Sequence, residues 1–287
     1  MTGELRQVTP APMAHSQQSP PWTRFVALGD SFTEGLWDQP DPDGPCRGWA
    51  DQLALALSRR RTAAGLAPLE YANLAVRGRL LRPLLLEQVP PARRMAPDLV
   101  SVIGGGNDLL RPDADPDRLA ADLEQVVAGL RGDGCDVLLC TGMDTRDSPL
   151  VRRTRSRTGV FNAHVWTIAR RHGAAVLDMW GMRSLRDWRM WDADRIHLTT
   201  DGHARIAQGA LVALGLEPDD PAWDDPLTPL PAVSRATRLA EDSRWLREHA
   251  VPWATRRLRG RSSGDARHPK RPELAPVEAT SDDGPAR

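Results

Sequence analysis

Short apolar runs alternate with amphipathic stretches from Arg24 to Gly215, and this alternation constrains the fold more than any other feature of the chain. Residues 25–28, 69–73, 99–103, 136–141 and 174–178 have the length and composition of strands. The run 99–103 (Leu-Val-Ser-Val-Ile) is nearly all apolar, as a strand covered on both faces must be. Between the runs lie stretches of helical periodicity. Residues 49–60 carry Leu53 and Leu57 one turn apart, and 80–88 reads as a helix stopped by Pro90-Pro91. Asp115-Pro116 supplies a capping side chain followed by proline at the first helical position. A further helix is expected over 159–171, and Thr200 or Asp201 caps a last one reaching Gly215. Five strands with intervening helices predict an α/β fold, a three-layer α/β/α sandwich around a parallel sheet.

The 287 residues suffice for one such domain plus extensions. The domain is expected over 23–216. Residues 1–22, with Pro10, Pro12, Pro20 and Pro21, read as a disordered lead with no export signal. Beyond Glu217 the composition turns to Pro, Asp and Arg. Residues 217–260 are expected to form an extension with an amphipathic helix over 232–250, and 261–287 a disordered tail. Formal net charge is zero, so nothing favours nucleic acid or an anionic membrane as partner. No run approaches the ~20 apolar residues of a membrane span. Cys46, Cys135 and Cys140 are odd in number and lack CxxC spacing, which points to reduced thiols and a cytoplasmic location. Oligomeric state leaves no trace in the sequence.

Four segments carry chemistry. Ser31 directly follows the first strand, in Gly29-Asp30-Ser31, and ligands of parallel sheets bind beyond the carboxyl ends of strands. A serine there also serves simply as a helix cap, and the Gly-Asp-Ser triplet alone does not decide between the two. His197 is the candidate general base, because a hydroxyl needs a partner to take its proton. Asp194 stands three residues earlier, where its carboxylate can orient the imidazole. His203 is the main rival, but it sits inside a helix without such a carboxylate. Asn107 follows a strand and three glycines, and its amide can donate to a developing oxyanion; Gly78, after the second strand, can offer its backbone N–H. The glycine run 104–106 lacks the GK[ST] continuation of a phosphate loop.

These blocks, in this order and at similar spacing, resemble the SGNH, or GDSL, hydrolases. Ser31, Gly78, Asn107 in Gly-Asn-Asp, and His197 with Asp194 in Asp-x-x-His match the family's four motifs over residues 24–215, with GDSF standing for GDSL. The stretch Gly-Asp-Ser-Phe-Thr-Glu-Gly followed by Gly48-Trp49-Ala50-Asp51 is most similar to actinomycete-type esterases and lipases of that family. The resemblance implies a flavodoxin-like sheet, a Ser31–His197–Asp194 triad and an oxyanion hole of the Ser31 N–H, the Gly78 N–H and the Asn107 side chain. It also implies a small-molecule acyl ester as substrate and neither cofactor nor metal. Asp30 and Asp108 are expected to support the site without taking part in the chemistry.

Two other functions fit the same residues. One is acyl transfer, or deacetylation of a sugar or small metabolite. The other is a non-catalytic flavodoxin-like binding module. The long Asp144 to Thr158 segment has the length of a lid, and its arginines read as a solvated charge run rather than an anion site. Trp188 and Trp191, just before the histidine block, line the site or pack at the domain edge.

Overall fold

The computed structural model of the chain describes residues 19–39, 44–148, 151–231, 234, 243–245, 247–248 and 264–278. Its strands are β1 (Arg24–Gly29), β2 (Glu70–Asn73), β3 (Leu99–Ile103), β4 (Asp136–Cys140), β5 (Ala175–Leu177) and β6 (Arg271–Pro276). The helices are α1 (Ser31–Glu34), α2 (Gly48–Ala63), α3 (Leu81–Arg94), α4 (Gly106–Leu109), α5 (Pro116–Gly132), α6 (Arg155–His172) and α7 (Thr200–Ala213). The strands join in the order β5-β4-β3-β1-β2-β6. The first five are mutually parallel, and β6 runs antiparallel to β2.

Successive strand residues point to opposite faces, and each face has its own core. Phe25, Ala27, Leu99 and Leu138 pack on one side against Trp49, Leu53 and Leu57 of α2 and Ile206 and Ala210 of α7. Val26, Leu28, Val100, Val102, Val137 and Leu139 pack on the other against α3, α5 and α6. Each fully buried side chain of this size contributes about 2 kcal/mol, so both helical layers are held chiefly by this burial. Asp115 caps α5 as expected, accepting from the N–H groups of Asp117 and Arg118.

The structure departs from expectation in three places. Among the described residues the sheet has six strands, not five. Arg271–Pro276, inside the tail expected to be disordered, pairs with β2, and the Val277 N–H donates to the Leu69 carbonyl. Pro272 and Pro276 hid this strand, yet an edge strand tolerates proline because half its N–H groups face away from the ladder. Second, α3 runs through Pro90 and Pro91 to Arg94. The carbonyls that lose their donors belong to Leu86 and Glu87, both exposed residues on the solvent side of the helix, where the loss is cheapest. Third, the cap of α7 is Thr199, whose Oγ1 accepts from the Gly202 N–H. Of the helix expected over 232–250, most residues lie outside those described; 243–245 are helical. The lead 1–18 also lies outside them.

With the edge strand set aside, the sheet order is 2-1-3-4-5, which reverses between β1 and β3. Ligands in such sheets bind at this reversal, beyond the carboxyl ends. Ser31 follows β1 and Asn107 follows β3, so the switch point carries both.

Candidate active site

The segment of the candidate nucleophile Ser31 is shaped by its own backbone. β1 ends at Gly29, and a side chain there would collide with Thr33, whose Oγ1 would lie 2.3 Å from the added carbon. The glycine thus lets α1 begin within two residues of the strand. Asp30 caps α1, accepting from the Phe32 N–H at 3.0 Å. Gln88 of α3, buried, donates to the Gly29 carbonyl and accepts from the Gly29 N–H, both at 2.9 Å. Asn73 donates to the Thr33 carbonyl and so ties β2 to α1.

The Asp194–His197 turn brings both side chains to that serine. The imidazole Nε2 lies 2.9 Å from Ser31 Oγ, and Nδ1 lies 2.7 Å from Asp194 Oδ2. Asp194 Oδ1 accepts from the N–H groups of Ile196 and His197 at 2.9 and 3.0 Å. Burial alone would raise the Asp194 carboxyl, but the hydrogen bonds and charge of His197 and the two backbone donors outweigh it and hold it below the ordinary range. His203 lies elsewhere. It is buried beneath Phe32, its Nδ1 accepts from the Trp49 N–H, and burial pushes its pKa down to about 4.

Gly78 and Asn107 line the same cavity as Ser31, Asp194 and His197. The N–H groups of Ser31 and Gly78 have no hydrogen-bond partner among the described residues. Asn107 is more committed. Its Nδ2 donates to Asp30 Oδ2 at 3.0 Å and to the Arg79 carbonyl at 3.1 Å. To serve an oxyanion it must release one of these. Asp30 itself is buried, which pushes its carboxyl up to about 6, with the Phe32 N–H and the His197 charge opposing that shift. Asp108 accepts from the Leu81 N–H at the start of α3.

The cavity measures about 980 Å³. One wing, past β3 and β4, is mixed, with apolar Ile103, Leu109, Met143, Phe161 and Met179 beside polar Thr141, Thr145, Ser148 and Thr158. The other is polar, with Glu34, Cys46, Arg77, His268 and Lys270. Trp188 and Trp191 both line it, and Trp191 Nε1 donates to the Leu185 carbonyl. The arginines of 144–158 do not gather around an anion site: Arg155 pairs with Asp144 at 2.6 Å, and Arg157 donates to the Arg111 carbonyl. Cys140 also reaches the cavity, but burial raises its thiol well above the usual range, so it is no thiolate nucleophile. Among the described residues no three His, Cys, Asp or Glu side chains cluster as metal ligands, and no helix is long and apolar enough to cross a membrane.

Three supporting residues carried no motif. Gln88 left one trace, a polar side chain on the otherwise apolar stripe of α3. Lys270, the chain's single lysine, shares its three N–H donors among the carbonyls of Glu34, Cys46 and Arg47 and Asp51 Oδ2, fastening the C-terminal segment to the cavity wall. Trp37 donates to Asp194 Oδ2 at 2.8 Å across 157 residues, a contact no local pattern reveals.

The model of the GDSL-like lipase/acylhydrolase family matches residues 27–205, more than half of the chain. The chain belongs to this family. It is an ester hydrolase of the GDSL type by that membership. Similar solved structures include LAE5, an α/β hydrolase from the metagenome of Lake Arreo, Spain, with 24% identity over 67% of this chain and 95% of that one (TM-score 0.55). Another is Axe2, an acetylxylan esterase from Geobacillus stearothermophilus, with 21% identity over 68% and 95% (TM-score 0.55). A third is TesA, with 22% identity over 67% and 97% (TM-score 0.52). Identities this low speak for the shared fold alone. No curated protein matches the GDSL-type chain.

Proposed function

We propose that this GDSL-type hydrolase cleaves carboxylic esters of small molecules through Ser31, His197 and Asp194. The observation that carries the reading is the unbroken chain of hydrogen bonds from Ser31 Oγ through both imidazole nitrogens to Asp194. A serine hydroxyl is a weak nucleophile until its proton has somewhere to go, and Nε2 is within reach of it. As Oγ bonds to the ester carbonyl carbon, His197 takes the hydroxyl proton and Asp194 stabilises the imidazolium. The carbonyl oxygen, now negative, is met by the Ser31 and Gly78 N–H groups and by the Asn107 amide once it leaves Arg79 or Asp30. His197 passes its proton to the departing alcohol. Water then attacks the acyl-enzyme, gives a proton to Nε2, and Ser31 is restored as the acid leaves.

A cavity of about 980 Å³ exceeds what an acetyl group fills, which favours a larger acyl or alcohol portion over simple deacetylation. Deacetylation of a sugar, the activity in the name of the neighbour Axe2, and acyl transfer are the alternatives; a non-catalytic module is disfavoured by the connected triad. The free thiols of Cys46, Cys135 and Cys140 support a reducing, cytoplasmic setting.

The deciding measurement is turnover of p-nitrophenyl esters of increasing chain length by the parent and Ser31→Ala. The variant should lose about 10⁴-fold or more in kcat while its melting temperature stays put. A fluorophosphonate probe should label Ser31 in the parent alone. Retained turnover in Ser31→Ala would remove the nucleophile from this account, and products in which an added alcohol carries the acyl group would turn hydrolysis into transfer.

A further inference from the structure

We infer that Trp37 is a positioning residue for the Asp194 carboxylate and sets the geometry of the base from the nucleophile's side of the cavity. The inference rests on the Ser31–His197–Asp194 reading.

Asp194 accepts four hydrogen bonds. Oδ1 takes the Ile196 and His197 N–H groups, and Oδ2 takes His197 Nδ1 and Trp37 Nε1. Both lone pairs on each oxygen are then engaged. Without the indole, Oδ2 would hold only the imidazole, and water at the cavity mouth would compete for the vacated lone pair. The indole therefore does what the neighbouring backbone does for Oδ1, but from a different part of the chain.

The backbone at Trp37 makes this contact more than incidental. Trp37 has φ +74°, a left-handed conformation that a bulky residue adopts only under constraint. Its ring is half exposed, so burial offers little in return. The constraint comes from Asp38, which is fully buried. Asp38 Oδ2 accepts from the Gly48 N–H, Gln52 Nε2 and Arg47 Nε, and Oδ1 accepts from Thr200 Oγ1. The Arg47 N–H closes the loop onto the Asp38 carbonyl. Two ties thus cross from the segment after Ser31 to the segment around His197: Trp37 to Asp194, and Asp38 to Thr200. Since Trp37 lies six residues beyond the nucleophile, the carboxylate is referenced directly to the loop that Ser31 begins.

The test uses the full-length chain, with Trp37→Phe, Asp194→Asn and the double variant assayed on one p-nitrophenyl ester. Trp37→Phe keeps an aromatic ring and removes the donor. Its kcat should fall about tenfold, the size of losing one hydrogen bond to a charged group, with KM within about twofold. In the Asp194→Asn background the same change should cost less than about twofold, since its target is gone. The downfield Nδ1 proton of His197 should shift or broaden in Trp37→Phe. Benzothienylalanine at position 37, which keeps the indole's shape without its N–H, should reproduce the loss if the phenylalanine variant folds poorly. Parental kcat in either variant, a change confined to KM, or equal losses in both backgrounds would overturn the proposal. Failure of the parent itself to turn over esters, or full activity in Ser31→Ala, would instead overturn the triad reading, and this inference with it.

Discussion

The proposed nucleophile and the proposed base of this hydrolase are held in place by different means. Residues 29–35 are a strand end, a one-residue turn and a helix, joined by local bonds such as Glu34 N–H to the Asp30 carbonyl and Gly35 N–H to the Ser31 carbonyl. Residues 192–199 form neither strand nor helix. A bridge between Trp191 and Leu198 closes them, and their bonds form an irregular turn: Asp192 N–H to the His197 carbonyl, Arg195 N–H to the Asp192 carbonyl, and the Ile196 and His197 N–H groups to Asp194 Oδ1. Further ties come from side chains outside the turn. Trp37 holds Asp194, and the Arg195 guanidinium lies between the rings of Trp188 and Trp245, at 5.8 and 5.1 Å. Ser31 is placed by regular structure, whereas His197 is placed by side chains. Errors at the first should register as lost stability, errors at the second as lost rate.

Asp194→Asn tests the second half of that contrast most severely. The asparagine oxygen can keep the two backbone donors, but its amide then faces two further N–H groups, those of His197 Nδ1 and Trp37. The imidazole escapes by moving its proton to Nε2, where it can no longer accept from Ser31. We expect kcat to fall about 10⁴-fold, far more than the stability lost at neutral pH with a carboxylate whose ionised form the fold favours would account for. A loss below tenfold would mean that the base needs no carboxylate, and the asymmetry between the segments would dissolve.

Asp30→Asn tests the first half. Burial raises the Asp30 carboxyl to about 6 from 3.8, so the folded state holds that proton more tightly than the unfolded chain. The resulting stability is full below pH 4 and is lost as pH rises through 6; two units correspond to about 3 kcal/mol. Asp51, also raised to about 6 by burial despite its pairing with Lys270, titrates in the same window in both proteins and cancels in their difference. Urea unfolding at pH 3.5 and 7.5 should therefore show the variant gaining about 3 kcal/mol on the parent as pH rises, over a constant offset from the mismatched contact with Asn107. A difference independent of pH would show that Asp30 is not strained by its burial.

The same division explains what could be read from sequence. Strands β1 to β5 follow from apolar runs, and Ser31, Asp194 and His197 stand out because local spacing and strand ends mark them. β6 stayed hidden because its partner lies some 200 residues away and its prolines suit only an edge, a property of the sheet rather than the segment. Pro90 and Pro91 mislead for a related reason: whether a helix survives proline depends on which carbonyls lose their donors and whether water reaches them. Trp37 and Trp245 act through contacts across 157 and 50 residues, at positions where nothing nearby in the chain distinguishes them from surface aromatics. The unread part of the site is its support.

Arg195→Gly should have the smallest effect on stability and is the finest test of that support. Arg195 has φ +56°, so glycine relieves a backbone conformation costing about 1 kcal/mol or more. It also deletes the guanidinium between Trp188 and Trp245, where each cation–π contact contributes about 0.5–1 kcal/mol. The two changes oppose each other, and the net shift in unfolding free energy should stay within about 1 kcal/mol. The rate should not be so protected, because the turn carrying Asp194 and His197 loses its grip on both rings while gaining freedom at its centre. A severalfold drop in kcat at nearly constant stability would place the base segment under side-chain control. Unchanged kcat would show that the turn's own hydrogen bonds suffice, and that Trp188 and Trp245 bear on the cavity rather than on His197.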